Sequence, residues 1–154
     1  MKLRSRAFAT ATALAIAATC FTAAASPASA APKVSFGSGG KASDGSRNVN
    51  VAIDGSVAGR GFWNADPGST NGWPDGDTLY VIDSRSDGYA ISADIVHAHN
   101  TPSYSRTAST SGRKAPVTVK RGGNLAEGRK LQLRVCVTQG SRNVACSPYY
   151  SAHA

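Results

Sequence analysis

Apolar residues recur at every second position along most of this chain. No stretch of useful length repeats them at the 3.6-residue period, so the pattern predicts strands and no helix. The clearest run is Leu131, Leu133, Val135 and Val137, alternating with Lys130, Gln132, Arg134 and Cys136. The same rhythm marks Val49, Val51, Ile53; Val57 to Trp63; Leu79 to Ile82; Tyr89, Ile91, Ala93, Ile95; Val117, Val119; and Val144 to Tyr150, with a ragged strand at Val34 and Phe36. Turn-forming stretches separate these runs: Gly37 to Gly40, Asp44-Gly45, Asp54-Gly55, Asp66-Pro67-Gly68, Asn71 to Gly76, Asp87-Gly88 and Gly122-Gly123. Short strands at such spacing predict an all-β fold, an antiparallel β-sandwich of roughly seven or eight strands, with a barrel as the alternative.

The first thirty residues break the rhythm. Lys2, Arg4 and Arg6 precede an alanine-rich apolar run from Ala7 to about Ala25, followed by Ser26, Pro27 and the small residues Ala28, Ser29 and Ala30. This is the layout of an export signal cut before Ala31, and it predicts a secreted, extracellular product. Cys20 follows Ala17, Ala18 and Thr19, a poor match to the lipidation signal, which carries Leu three places before the cysteine. The run is barely long enough to span a bilayer, so no membrane association is expected after cleavage. What remains, 31–154, is one domain's worth of chain.

Export changes the meaning of the cysteines. Cys136 and Cys146 remain after cleavage, and in an oxidising compartment such a pair is most simply a disulfide. Charge is distributed unevenly. From Ala31 to Asp94 eight acids face five bases, whereas from Ile95 to Ala154 the single acid Glu127 faces nine bases. Sequence halves interleave in a sandwich, so mutual pairing and solvation account for these charges without a ligand.

The segment 123–148 carries a more specific pattern. Asn124-Leu125-Ala126-Glu127-Gly128, followed by the alternating strand from Lys130, resembles the corner and penultimate strand of fibronectin type III and other immunoglobulin-like domains. The resemblance implies an immunoglobulin-like sandwich. It makes Leu125 a buried loop residue, Gly128 the turn, Leu131 to Val137 the core face of strand F, and Val144 onward strand G. Leu131 stands where those domains carry the corner tyrosine. A hairpin on that alignment, centred on Ser141 with a three-residue loop, sets Cys136 opposite Cys146 on the outer face. The series Phe62, Asn64-Ala65-Asp66-Pro67, Gly76-Asp77, Asp83, Ser86-Asp87-Gly88-Tyr89, Ala108-Ser109-Thr110, Val135-Cys136 and Cys146 is similar to small secreted actinobacterial proteins, a likeness that implies no activity.

Candidate chemistry is sparse. Asp75, Asp77, Asp83, Asp87 and Asp94 sit on glycine-bearing turns that suit calcium, but fit no EF-hand spacing and serve equally as turn-capping groups. His97 and His99 would share a strand face, with no third metal ligand evident. No G-x-S-x-G elbow is present, so neither enzyme activity nor a cofactor is expected. The basic residues Arg113, Lys114, Lys120, Arg121, Lys130 and Arg134 make the best functional set, suited to an anionic cell-wall polymer. Nothing reads a nucleic-acid groove. Trp63 is expected in the core, and Trp73, in the Asn71-Gly72-Trp73-Pro74 turn, is the better candidate for an exposed carbohydrate platform. The reading is a non-enzymatic binding module. Its alternative is an inhibitor or antagonist presenting the loop from Asn64 to Gly76 to an extracellular protein.

Overall fold

Two antiparallel sheets account for the alternation in a computed structural model that describes residues 30–68, 73–98 and 105–154. The leader through residue 29, with Cys20, lies outside the described residues, as do His99 and Asn71-Gly72. The strands are β1 (Val34–Ser38), β2 (Arg47–Ile53), β3 (Ser56–Asn64), β4 (Thr78–Asp83), β5 (Ala90–His97), β6 (Ser105–Ser109), β7 (Val117–Arg121), β8 (Lys130–Gln139), β9 (Arg142–Cys146) and β10 (Tyr150–His153). One sheet has the order β1-β2-β3-β4-β7. The other runs β10-β8-β5-β6, with β9 also on β8. Because β9 pairs with 136–139 and β10 with 130–133, these two strands lie end to end along the same side of β8.

The inner faces follow from the alternation. Val49, Val51, Trp63, Leu79 and Val81 of the first sheet are buried against Ile91, Ile95, Leu131, Leu133, Val135 and Val137 of the second. Each such side chain contributes roughly 1.5–3 kcal/mol on burial. Trp63 is fully buried, as expected, and its Nε1 donates to the carbonyl of His153 at 2.9 Å. On β3 the inner positions beside it are glycines. A Cβ at Gly61 would stand 2.4 Å from Val135 Cγ2, and one at Gly59 would stand 2.2 Å from the Ile82 carbonyl oxygen. The sheets close at β3 because nothing projects there.

Among the described residues the strands number ten, more than the expected seven or eight, for two reasons. β6 has a single fully buried apolar side chain, Ala108, so it lacks an apolar alternation. The run from Val144 to Tyr150 divides because Pro148 has no N–H to donate. Ser147 fills the gap: its N–H donates to the Val135 carbonyl at 2.8 Å, and its Oγ accepts the Val135 N–H at 3.1 Å.

Cys136 and Cys146 form the disulfide, directly opposed in register with Cα atoms 4.0 Å apart. The hairpin reaches that register by a different route from the three-residue loop. Its turn is Gly140-Ser141, with Gly140 at φ 58°, and a bulge beside Val144 then shifts the pairing by one. Cys136 alternates with the core residues Val135 and Val137, so it lies on the outer face, yet it is buried. Leu125 is buried, and Gly128 takes φ 73° at its turn. Among the described residues no helix is long and apolar enough to cross a membrane.

Candidate functional site

Three connections meet at one end of the sandwich: the β4–β5 loop, the β6–β7 loop and the β8–β9 turn. They enclose an open cleft of about 550 Å³, lined in part by Asp83, Arg85, Tyr89, Thr110, Arg113 and Lys114. Its floor is built from buried hydrogen bonds. Asp83, the last residue of β4, accepts the Arg85 N–H at 3.1 Å with one oxygen and the Thr110 hydroxyl at 3.1 Å with the other. Thr110, fully buried, also accepts the Ile91 N–H at 2.9 Å. The Asp83 carboxylate is therefore committed to holding the two loops. Ser86 Oγ donates to the Ala115 carbonyl at 3.0 Å and ties the loops again at the rim.

The cations of the cleft differ from one another. Arg85 is tethered, with Nε 3.6 Å from Asp87 and Nη1 donating to the Ile53 carbonyl at 3.3 Å. Arg113 and Lys114 are exposed, and among the described residues neither side chain meets an acid within ion-pair distance. Consecutive in sequence, they rise from a turn closed by the Arg113 N–H on the Thr110 carbonyl at 3.0 Å, with Gly112 at φ 75°. The arrangement offers positive charge over a partly apolar recess, which suits an anionic group with a hydrocarbon or sugar body.

A second assembly occupies the outer face of the first sheet. Phe62 and Tyr80 are cross-strand partners on β3 and β4, with ring centroids 6.2 Å apart. Trp73 folds over them from the β3–β4 loop, 4.3 Å from the Tyr80 ring and 6.2 Å from Phe62. The loop is pinned from below: Asn64, fully buried, donates to the carbonyls of Asp66 at 2.9 Å and Asp75 at 2.8 Å. Gly76 permits this closure, since a Cβ there would be 2.8 Å from the Ala65 carbonyl oxygen. Asp75 Oδ2 then accepts from the Tyr80 hydroxyl at 3.0 Å and from Lys120 Nζ at 2.6 Å.

That three-way contact shifts all of its members. The Lys120 ammonium, seconded by the Tyr80 hydroxyl, holds the Asp75 carboxyl below the usual carboxylate range. Burial and then the bond to Asp75 push the Tyr80 phenol up. Lys120 is pushed up by its bond to the Asp75 carboxylate.

The basic residues expected to act together are divided. Arg113 and Lys114 lie at the cleft; Lys120 lies on the outer face of the first sheet; Arg121 ends β7, the edge strand of that sheet. Lys130 and Arg134 do share the outer face of β8 with Gln132, on the opposite side of the sandwich. There Arg134 is held by Asp94 at 3.1 Å and lies 4.8 Å from the centroid of the Tyr149 ring. The turn aspartates have separate tasks: Asp87 accepts the Tyr89 N–H at 3.1 Å, and Asp77 accepts the Leu125 N–H at 2.6 Å. Among the described residues no group of three or more His, Cys, Asp or Glu is placed to hold a metal ion. The sequence points to Trp73 but not to the Phe62 ring, which stacks on Tyr80 beside it, or to the Asp75 latch, both of which depend on cross-strand register. No family model, curated protein or solved structure matches the chain.

Proposed function

We propose that this chain is a secreted, non-enzymatic binding module, an immunoglobulin-like sandwich that holds an anionic cell-wall polymer at the loop-end cleft. One observation carries the reading: Arg113 and Lys114 stand exposed on the rim of a cleft of about 550 Å³, with no acid partner among the described residues. Exposed cations with no local counter-charge keep a field that an anionic partner relieves, and a polymer with repeated anionic groups supplies that charge many times over. The cleft carboxylate, Asp83, is spent on loop geometry, which supports binding over hydrolysis. The disulfide fits an oxidising compartment. Pairing of β4 with β7, and of β8 with β5 and β9, supports the immunoglobulin-like plan, with β1 and β2 added outside β3.

The test is co-sedimentation of the oxidised 31–154 protein with Gram-positive cell walls, before and after removal of teichoic acid, across a salt series. Retention that requires the polymer and falls steeply with salt is expected. No retention at low salt would contradict the proposal and move attention to a protein partner read by the loop from Asn64 to Gly76.

A further inference from the structure

The aromatic patch is not explained by anion binding. Its ion pair cancels its own charge, and it lies on a sheet face rather than among the cleft loops. Phe62 and Tyr80 are 3 % and 2 % exposed, whereas Trp73 keeps part of its surface in solvent. At the Tyr80 hydroxyl stands an acceptor, the Asp75 carboxylate, and paired with it a donor, the Lys120 ammonium, with side chains 42 % and 61 % exposed. A recess of about 410 Å³ opens next to this pair, lined by Asp75, Gly76, Thr78, Lys120, Gly122 and Gly123. Arg60, on the outer face of β3, places its guanidinium 5.8 Å from the Trp73 ring centroid.

We propose that this patch is a stacking site for a pyranose ring of an extracellular polysaccharide. A pyranose has an apolar C–H face and a periphery of hydroxyls, each both donor and acceptor. The indole of Trp73 offers a flat apolar surface to the first. Asp75 and Lys120, adjacent and opposite in charge, offer an acceptor and a donor to neighbouring hydroxyls. The site is prepared before a ligand arrives: Tyr80 lies against the indole, and Asp75 fixes the loop three residues before β4 begins. Ordering costs on binding are correspondingly small. Arg60 adds a charge that a carboxylated sugar would meet and a neutral one would not.

The protein carries its own reporter. It has two tryptophans, of which Trp63 is fully buried, so a fluorescence response to a surface ligand originates at Trp73. Oxidised protein titrated with cellohexaose and, separately, with hexagalacturonate is expected to give a saturable change in emission with at least one. Tighter binding of the acidic sugar that is read by Trp73 emission and lost in Arg60→Ala assigns a role to Arg60, and equal binding assigns recognition to the ring alone. Calorimetry on Trp73→Ala should show affinity reduced at least about tenfold, with Trp73→Tyr intermediate as a variant that keeps a ring. A variant with Arg113→Ala and Lys114→Ala should keep the wild-type Trp73 emission response, because acidic sugar held at the cleft is not in contact with that ring. The proposal is overturned if millimolar concentrations of both sugars leave emission and heat unchanged, if Trp73→Ala and Trp73→Tyr both fold and bind like the wild type, or if the cleft variant abolishes the response.

Discussion

The loop-end cleft and the aromatic patch contain the same kind of cation in opposite circumstances. At the patch Lys120 is held 2.6 Å from Asp75, and the pair fixes a loop; at the cleft Arg113 and Lys114 project with no acid partner among the described residues. Arg134, held by Asp94 on the other sheet, belongs with Lys120. Net charge treats these residues alike, but their surroundings do not. A cation already paired has its charge neutralised locally and serves as a fastener, whereas an unpaired cation beside a recess retains a field that an anion can relieve.

That contrast can be broken most forcefully at the cleft. Arg113→Glu with Lys114→Glu should lower cell-wall retention at low salt by roughly tenfold or more and leave the melting temperature near that of the wild type, read by co-sedimentation and calorimetry. Equal retention would remove the distinction between free and paired cations.

The disulfide supplies a more local perturbation. Cys136→Ser with Cys146→Ser opens a loop with sequence separation 10 and should cost about 2 to 3 kcal/mol in urea unfolding. Gly140 of the hairpin turn lines the cleft, so amide exchange should rise along β9 and at the cleft while Trp73 emission stays unchanged. Equal loosening of both regions would mean that the two are not independent.

Titration addresses the patch alone. The folded-state pKa of Asp75 is depressed, so its contribution is present above the ordinary aspartate value of about 3.9 and is lost as pH falls through the lower folded value. Lys120 and Tyr80 are raised, so theirs are present below their ordinary values, the lower being about 10 for tyrosine, and are lost as pH rises through the folded ones. Trp73 emission should therefore be flat between about pH 4 and pH 10 and shift to the red below that window. In Asp75→Asn, a red-shifted emission is expected already at neutral pH. The smallest effect is expected for Lys120→Ala, which should change polymer retention by less than about twofold because its charge is already engaged.

The sandwich was legible because alternation encodes which side chains face inward, and it remained accurate where both faces differ in polarity, as along β8. It faded where burial does not demand alternation. β6 buries Ala108 alone, and the β9–β10 edge breaks at Ser147-Pro148, where a side chain replaces a ladder bond. The basic residues were visible individually, but their grouping was not. Lys120 and Lys130 are ten positions apart and lie on opposite sheets, an arrangement set by the chain reversal at Gly128 rather than by spacing. Trp73, with Tyr80 nearby, is legible from its turn, whereas the Phe62 ring stacked on Tyr80 and the Asp75 latch require the register of β3, β4 and β7.

The most direct test of the account is the salt dependence of binding to a soluble linear polyphosphate. The measurement compares the wild type with a variant carrying Arg113→Ala and Lys114→Ala. A steep fall of log K with log salt is predicted for the wild type, and a slope shallower by roughly 1.4 for the variant, as expected when two phosphate contacts are lost. Identical slopes would contradict the assignment of the cleft cations to the ligand.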